Sequence, residues 1–221
     1  MNAESSGGAR RRKGMSGHRL GGFTVIELLA VIAIIGLLAA ILFPTLSAAR
    51  VSANKARTRV QFNQWAIAVT AFRSEYGYYP SIDPSNKVNG GVDAVDHPFH
   101  DVLAGRKRDG SALAPTSAAA LQNRKLIQFC SFAESDVTDP SSSNPNLLCD
   151  AFGNTDIVML ADRNLDGVIN SGDFGPDLPL ASGTRPDLND FPVAGIRAGV
   201  VFYCAAPRGT AEAPQFIFSW K

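Results

Sequence analysis

Apolar positions fall in one long run near the N-terminus and then in short, spaced groups. From Phe23 to Phe43 only Thr24, Glu27 and Gly36 interrupt the run, and Glu27 carries its only charge. As a helix this stretch spans roughly 31 Å at about 1.5 Å per residue, enough to cross a bilayer core. Behind Pro44, the residues Leu46, Ala49, Ala53, Ala56, Val60, Asn63, Ile67 and Thr70 recur at spacings of three and four, which marks one face of a helix. The proline is therefore expected to kink the helix rather than end it. The small residues of the stripe permit close helix–helix approach. The stripe is expected to pack on neighbouring helices and, at its Trp65–Phe72 end, on the chain's own domain. Arg50, Lys55, Arg57 and Arg59 lie off it and are expected to meet water or lipid head groups. Gly77 and Pro80 in "EYGYYP" (75–80) close the helix.

Beyond residue 80 the periodicity weakens. "SIDPSNKVNGG" reads as loop, and "TSAAALQNRKLIQF" (116–129) as a helix. "NTDIVMLAD" (154–162), "AGVVFYCAA" (198–206) and "PQFIFSWK" (214–221) read as strands, β-branched and aromatic between turn residues. The order predicts an α+β fold: a long N-terminal helix, half of it transmembrane, on a small antiparallel sheet with a loop-rich C-terminal region. The organisation expected is a basic head at 1–22, the long helix at 23–76 and a globular domain at 77–221.

Charge sharpens the picture at the N-terminus. Of 21 basic and 20 acidic side chains, five and one lie in residues 1–22, so the head carries a net +4 and the rest a net −3. A basic head before an apolar run is an orientation and targeting pattern, and no nucleic-acid partner is expected. A cleaved secretory signal, with "LSAAR" (46–50) as its site, is the rival, but the run is longer than the usual signal core of about 7–15 residues.

A carboxylate inside an apolar helix costs about 2.5–3.5 kcal/mol on insertion scales and calls for a partner. No Lys or Arg lies between Gly22 and Leu46. A cation from another chain remains, and a newly exposed α-amino group at Phe23 would serve. Gly22-Phe23-Thr24-Val25-Ile26-Glu27, after its basic head, resembles the processing site of type IV pilins and type II secretion pseudopilins. The resemblance implies that a prepilin peptidase cuts after Gly22 and methylates Phe23, and that Glu27 is the fifth residue of the mature chain. Pro44 falls where many pilins carry a helix-kinking proline. Tyr76, Gly77, Tyr79 and Pro80, "CDAFGN" (149–154) and "FSW" (218–220) resemble segments of the major pseudopilins.

"DRNLDGVINSGD" (162–173) has the order of a calcium loop. Asp162, Asn164 and Asp166 supply oxygens at positions 1, 3 and 5, and Gly167 turns the chain at 6. The Val168 carbonyl stands at 7, Asn170 at 9 and Asp173 at 12. Hard oxygen ligands at this spacing suit calcium, and the loop resembles EF-hand and dockerin loops. Asp173 reaches less far than the usual glutamate. The competing expectation is an Asp/Asn-rich surface turn. Major pseudopilins, by resemblance, carry calcium in a loop of this part of the domain.

Weaker signals remain. Cys130, Cys149 and Cys204 are an odd number, and Cys130 with Cys149 could pair in an oxidising compartment. "DHPFHD" (96–101) is expected to be a solvated loop, since two histidines three apart make a weak metal site. Hydrolase, Walker and zinc motifs are absent from the sequence, and no enzyme is expected. The chain is thus expected to be a structural subunit of a homo-oligomeric fibre, either a secretion pseudopilus or a related pilin-like assembly. Its partners would be prepilin peptidase, other pilin subunits, the assembly machinery and the membrane. It would sit as a single pass in the inner membrane with its C-terminal domain in the periplasm. The alternative is a membrane-anchored, extracytoplasmic calcium-binding domain that does not polymerise.

Overall fold

A computed structural model of the chain describes residues 24–82, 85–92, 96–138, 146–207 and 215–221. The elements in chain order are helix α1 (Val25–Tyr76), helix α2 (Pro98–Ala104), helix α3 (Ala118–Gln122), strand β1 (Ile157–Ala161), helix α4 (Ser171–Phe174), strand β2 (Val200–Ala205) and strand β3 (Phe216–Phe218). The chain divides into two compact units, residues 1–48 and residues 49–221.

In the first unit, α1 carries an almost unbroken apolar surface. Ile26, Leu37 and Phe43 are 75%, 65% and 72% exposed. No other element among the described residues is long and apolar enough to cross a membrane. Helix assignment runs on through position 44, as the pattern predicts. Just behind it, the Thr45 hydroxyl donates to the Leu42 carbonyl at 2.8 Å, the kind of side-chain bond that keeps helical backbone satisfied in an apolar setting.

The second unit is built on an antiparallel sheet of order β1-β2-β3. Ile157 faces Cys204 and Ala161 faces Val200, while Tyr203 faces Phe218. Both sheet faces are covered. On one, Ile157, Met159, Val200, Phe202 and Ile217 join Phe62, Trp65, Val69 and Phe72 of α1. On the other, Val158, Leu160, Val201 and Tyr203 pack with Ile169, Leu178, Phe191 and Ile196 from the loops around them. Burial on both faces explains why β1 and β2 read as continuous apolar runs rather than alternating ones. Trp65 is the hub of the first core, with rings of Phe62, Phe99 and Phe202 at 5.8, 5.5 and 5.8 Å.

Three expectations need correction. The Trp65–Phe72 end of α1 packs on the domain as expected, but the face that packs is not the stripe of small residues. It is Thr58, Phe62, Trp65, Val69 and Phe72, while Ala53, Ala56, Val60, Asn63, Ile67 and Thr70 are exposed. The helix expected over 116–129 covers only Ala118–Gln122. Asn123 leaves helical geometry there, and Leu126 takes a positive φ of 52° that no helix accommodates. The "DHPFHD" segment is not a solvated loop: His97, His100 and Asp101 are 3%, 8% and 2% exposed. Pro98 opens α2 there, with His97 as its cap (the Nδ1 accepts from His100 N–H at 3.2 Å). The cysteine pairing that the sequence left open is absent: all three cysteines are free thiols.

Candidate functional site

Three features carry the predicted chemistry: the start of α1, the outer face of its second half, and the aspartate loop. Gly22 and Phe23, the expected cleavage site, lie outside the described residues.

Thr24, Val25, Ile26 and Glu27 form a capping box. The Thr24 backbone N–H and hydroxyl donate to Glu27 Oε2 at 2.8 and 2.9 Å. Glu27 N–H donates back to Thr24 Oγ1 at 3.2 Å. Two of the helix's orphan N–H groups are thereby satisfied, and the carboxylate stands where the helix dipole is positive. The T-x-x-E spacing that marks this local role is visible in the sequence. Glu27 Oε1 makes no hydrogen bond among the described residues.

Within the second unit, α1 has two faces of different kind. Opposite the buried Phe62–Trp65–Phe72 face run Ala53, Ala56, Val60, Asn63, Ile67 and Thr70, all exposed and none charged. Val60 and Ile67 are 57% and 70% exposed. The hydroxyls of this region fold back onto the helix, Thr70 to the Ala66 carbonyl (2.7 Å) and Ser74 to the Thr70 carbonyl (2.9 Å). The face therefore presents less polarity than its composition suggests. An open groove of about 610 Å³ runs between its Asn63–Ser74 part and the Ala198–Val200 segment that leads into β2. By helical spacing, Arg50 and Arg57 fall on one flank and Lys55 and Arg59 on the other.

The aspartate loop springs from the end of β1 and closes in α4. Asp162 is fully buried and Asp173 nearly so. Asp162 accepts from Asp166 N–H (3.1 Å) and Gly167 N–H (2.9 Å). Asp173 accepts from Arg163, Asn164 and Asn170 N–H at 2.8, 3.3 and 3.0 Å. Gly167 turns the chain at φ 85°, which a calcium loop requires at its sixth position. Ile169 pairs with Ile196 in a two-bond bridge (2.8 and 3.0 Å), which anchors the loop in the second core. The outer residues face one another: Asn164 Nδ2 donates to Asp166 Oδ2 (3.0 Å) and Asn170 Nδ2 to the Val168 carbonyl (3.3 Å). The donor set suits a hard cation in kind, because each carboxylate has lone pairs beyond those that the backbone uses. It is not gathered for one: among the described residues, no three His, Cys, Asp or Glu side chains converge as a metal-ligand group. Binding would require Asn164 and Asp166 to turn inward.

Asp150 and the cysteines are structural. Asp150 accepts from Phe152 and Asn154 N–H (2.8 and 2.9 Å) and from the Cys204 thiol (3.2 Å), which ties the 149–154 segment to β2. Burial pushes the Cys130 thiol up to about 11 and the Cys204 thiol up as well. Neither is a reactive thiolate at neutral pH.

Residues 18–43 match the sequence model of the prokaryotic N-terminal methylation motif. Neither a curated protein nor a solved structure matches the chain. The motif implies processing by a prepilin peptidase, and together with the exposed apolar helix it fits a single-pass inner-membrane protein of the type IV pilin-like class.

Proposed function

We propose that the chain is a structural subunit of a type II secretion pseudopilus or a related pilin-like fibre. It is cut after Gly22, methylated on Phe23, and assembled through α1 with its C-terminal domain on the periplasmic side. What supports this reading is the uncharged outer face of α1, Ala53 to Thr70, which stays exposed beside the domain that its other face fills. A helix that packed only on its own domain has no need of a second apolar face. In the fibre that face meets helices of neighbouring subunits. Glu27 Oε1 accepts the N-terminal amine of a neighbour, and a subunit out of register leaves the carboxylate unpaired.

Cap and charge at Glu27 are separable. Glutamine satisfies the capping box but carries no charge, and alanine supplies neither. In cells that make fibres from the parent chain, both Glu27→Gln and Glu27→Ala should be cleaved and inserted yet fail to assemble. Fibres of normal yield from Glu27→Gln would leave Glu27 with the cap alone and remove the pairing role.

The aspartate loop favours a second activity on the same chain, or the whole of it if the chain never polymerises: calcium binding through Asp162, Asn164, Asp166, the Val168 carbonyl, Asn170 and Asp173. Three carboxylates against Arg163 leave the loop with a net negative charge that a divalent cation offsets. Calcium at a hundredfold excess over Kd stabilises by about 2.7 kcal/mol. The purified chain should therefore melt higher in calcium than in EDTA, and Asp162→Asn should lose the difference. Identical melting curves for the parent chain in both buffers would remove calcium from the picture.

A further inference from the structure

Arg106-Lys107-Arg108 is the densest positive run of the globular part, and its conformation is set by its surroundings. Gly105 leaves α2 at φ 67°, where an added Cβ would lie 2.6 Å from the Leu126 carbonyl oxygen. The following turn is closed by Lys107 N–H to the Ser111 carbonyl and Gly110 N–H to the Lys107 carbonyl, both 3.0 Å. Beside this turn lies a depression of about 290 Å³ lined by His100, Arg106, Lys107, Arg108, Gln128 and Ser131.

Among the described residues four carboxylates surround it, Asp96, Asp101, Asp109 and Glu134, but only Asp96 makes a direct ion pair with one of its cations. Lys107 has Asp96 at 2.9 Å. Asp109, which also lines the depression, accepts from Ser111 N–H at 2.8 Å. Asp101 places one oxygen on His100 Nδ1 (2.9 Å) and the other on His97 N–H (3.1 Å). The last carbonyls of α2 are also occupied: Asp101 O takes Gly105 N–H, and Leu103 O takes the N–H groups of Phe129 and Cys130. Arg106 and Arg108 make no direct ion pair or hydrogen bond among the described residues: Glu134 and Asp101 act on Arg108 only through space, and its Nη1 is buried without a hydrogen-bond partner. An arginine drawn partly out of water and left unpaired is a cost that an anion removes.

We propose that this depression binds a phosphate group. Two guanidinium forks, a lysine and two neutral polar side chains come from two separate segments, 106–108 and 128–131. A carboxylate brings one charge and two oxygens; a phosphate monoester brings nearly two charges and three terminal oxygens, which matches two unpaired arginines. The volume is at the small end for ligand sites and admits a phosphate head rather than a whole nucleotide. The group is either free phosphate or the phosphorylated head of a lipid.

The test uses the full chain in non-ionic detergent, with inorganic phosphate and glycerol 3-phosphate each titrated against chloride at constant ionic strength. Melting temperature and heat of binding are read. A saturable upward shift is expected. Arg106→Gln and Arg108→Gln should each weaken binding about tenfold or more, the scale of one charged hydrogen bond, while Arg124→Gln, outside the depression, should not. Equal or tighter binding of glycerol 3-phosphate assigns the site to a lipid head, and binding of inorganic phosphate alone assigns it to the free ion. Arg106 is exposed, so its variant reports even if Arg108→Gln folds poorly. No saturable shift in the parent chain, or equal weakening by all three substitutions, would overturn the proposal.

Discussion

Gly195 sits in a turn at φ 75°, where L side chains are strained, and the loop beside it leaves no room. A Cβ there would lie 2.4 Å from Val168 Cγ1 and 2.8 Å from the Ile169 carbonyl oxygen, the same carbonyl that accepts Ile196 N–H. Gly183 has the same φ of 75° with nothing within 4 Å of its Cβ. The pair separates backbone strain from crowding. Gly183→Ala should cost about 1 kcal/mol, the price of the left-handed conformation. Gly195→Ala should cost about 2–4 kcal/mol, because Val168 and the Ile169–Ile196 bridge must also shift. Denaturant melts of the two variants measure the difference; equal losses would mean that the loop yields freely. The same crowding joins the aspartate loop to the second core, so Gly195→Ala should also disturb any cation held at 162–173.

Helix α1 is where one element has two surfaces. Trp65 is 1% exposed and touches three other buried rings, whereas Ile67, two residues on, is 70% exposed. Trp65→Ala should cost the domain about 3–5 kcal/mol. Ile67→Ala should cost it within about 0.5 kcal/mol yet impair assembly, since Ile67 belongs to the face proposed to meet neighbours. Normal fibres from Ile67→Ala and Val60→Ala together would place the contact elsewhere. The sequence showed that α1 existed, where it ended and that it had a stripe, because each depends on local spacing and on Gly77. It showed that the Trp65–Phe72 end meets the domain, but not that the meeting face starts at Thr58 and lies opposite the stripe. The buried face is marked by large residues, Phe62, Trp65 and Phe72, and the exposed one by regular spacing, and spacing was the clearer signal. The three strands were legible from their β-branched runs. Helix α2 was not, because its seven residues are fixed by a histidine cap and by packing of Phe99 and Leu103 rather than by periodicity. At the site, the loop order was legible. The turning of its carboxylates to backbone N–H groups was not, since that depends on where β1 and α4 hold Asp162 and Asp173.

For the molecule as a whole, the buried polar cluster around His97 ties stability to pH. The ring accepts from His100 N–H at Nδ1, so Nε2 carries the proton toward Asn89 Oδ1 at 2.9 Å; Asn89 in turn bonds the Leu148 N–H (2.9 Å) and the carbonyls of Leu148 and Thr155. One neutral tautomer thus links α2 to the segment that leads into β1. Burial first, then the nearby His100 and Arg108, pushes the His97 pKa down to about 3. In the unfolded chain it titrates near 6.5. Between those values the unfolded state binds the extra proton, so this contribution is whole above pH 6.5 and is lost as pH falls toward 3. From pH 7.5 to 5 the loss integrates to about 2 kcal/mol, with a slope that approaches about 1.4 kcal/mol per unit below pH 6.5. Asp136 and Asp150 act in the opposite sense, because burial raises both. The parent chain alone would therefore mix the two trends. His97→Gln removes only the histidine. Its stability at neutral pH should be lower, through the loss of the ring's packing and cap. Between pH 7.5 and 5 it should fall about 2 kcal/mol less than the parent does. Parallel stability curves for parent and variant across that range would mean that His97 takes its proton in the folded chain, and that the cluster opens to water at little cost.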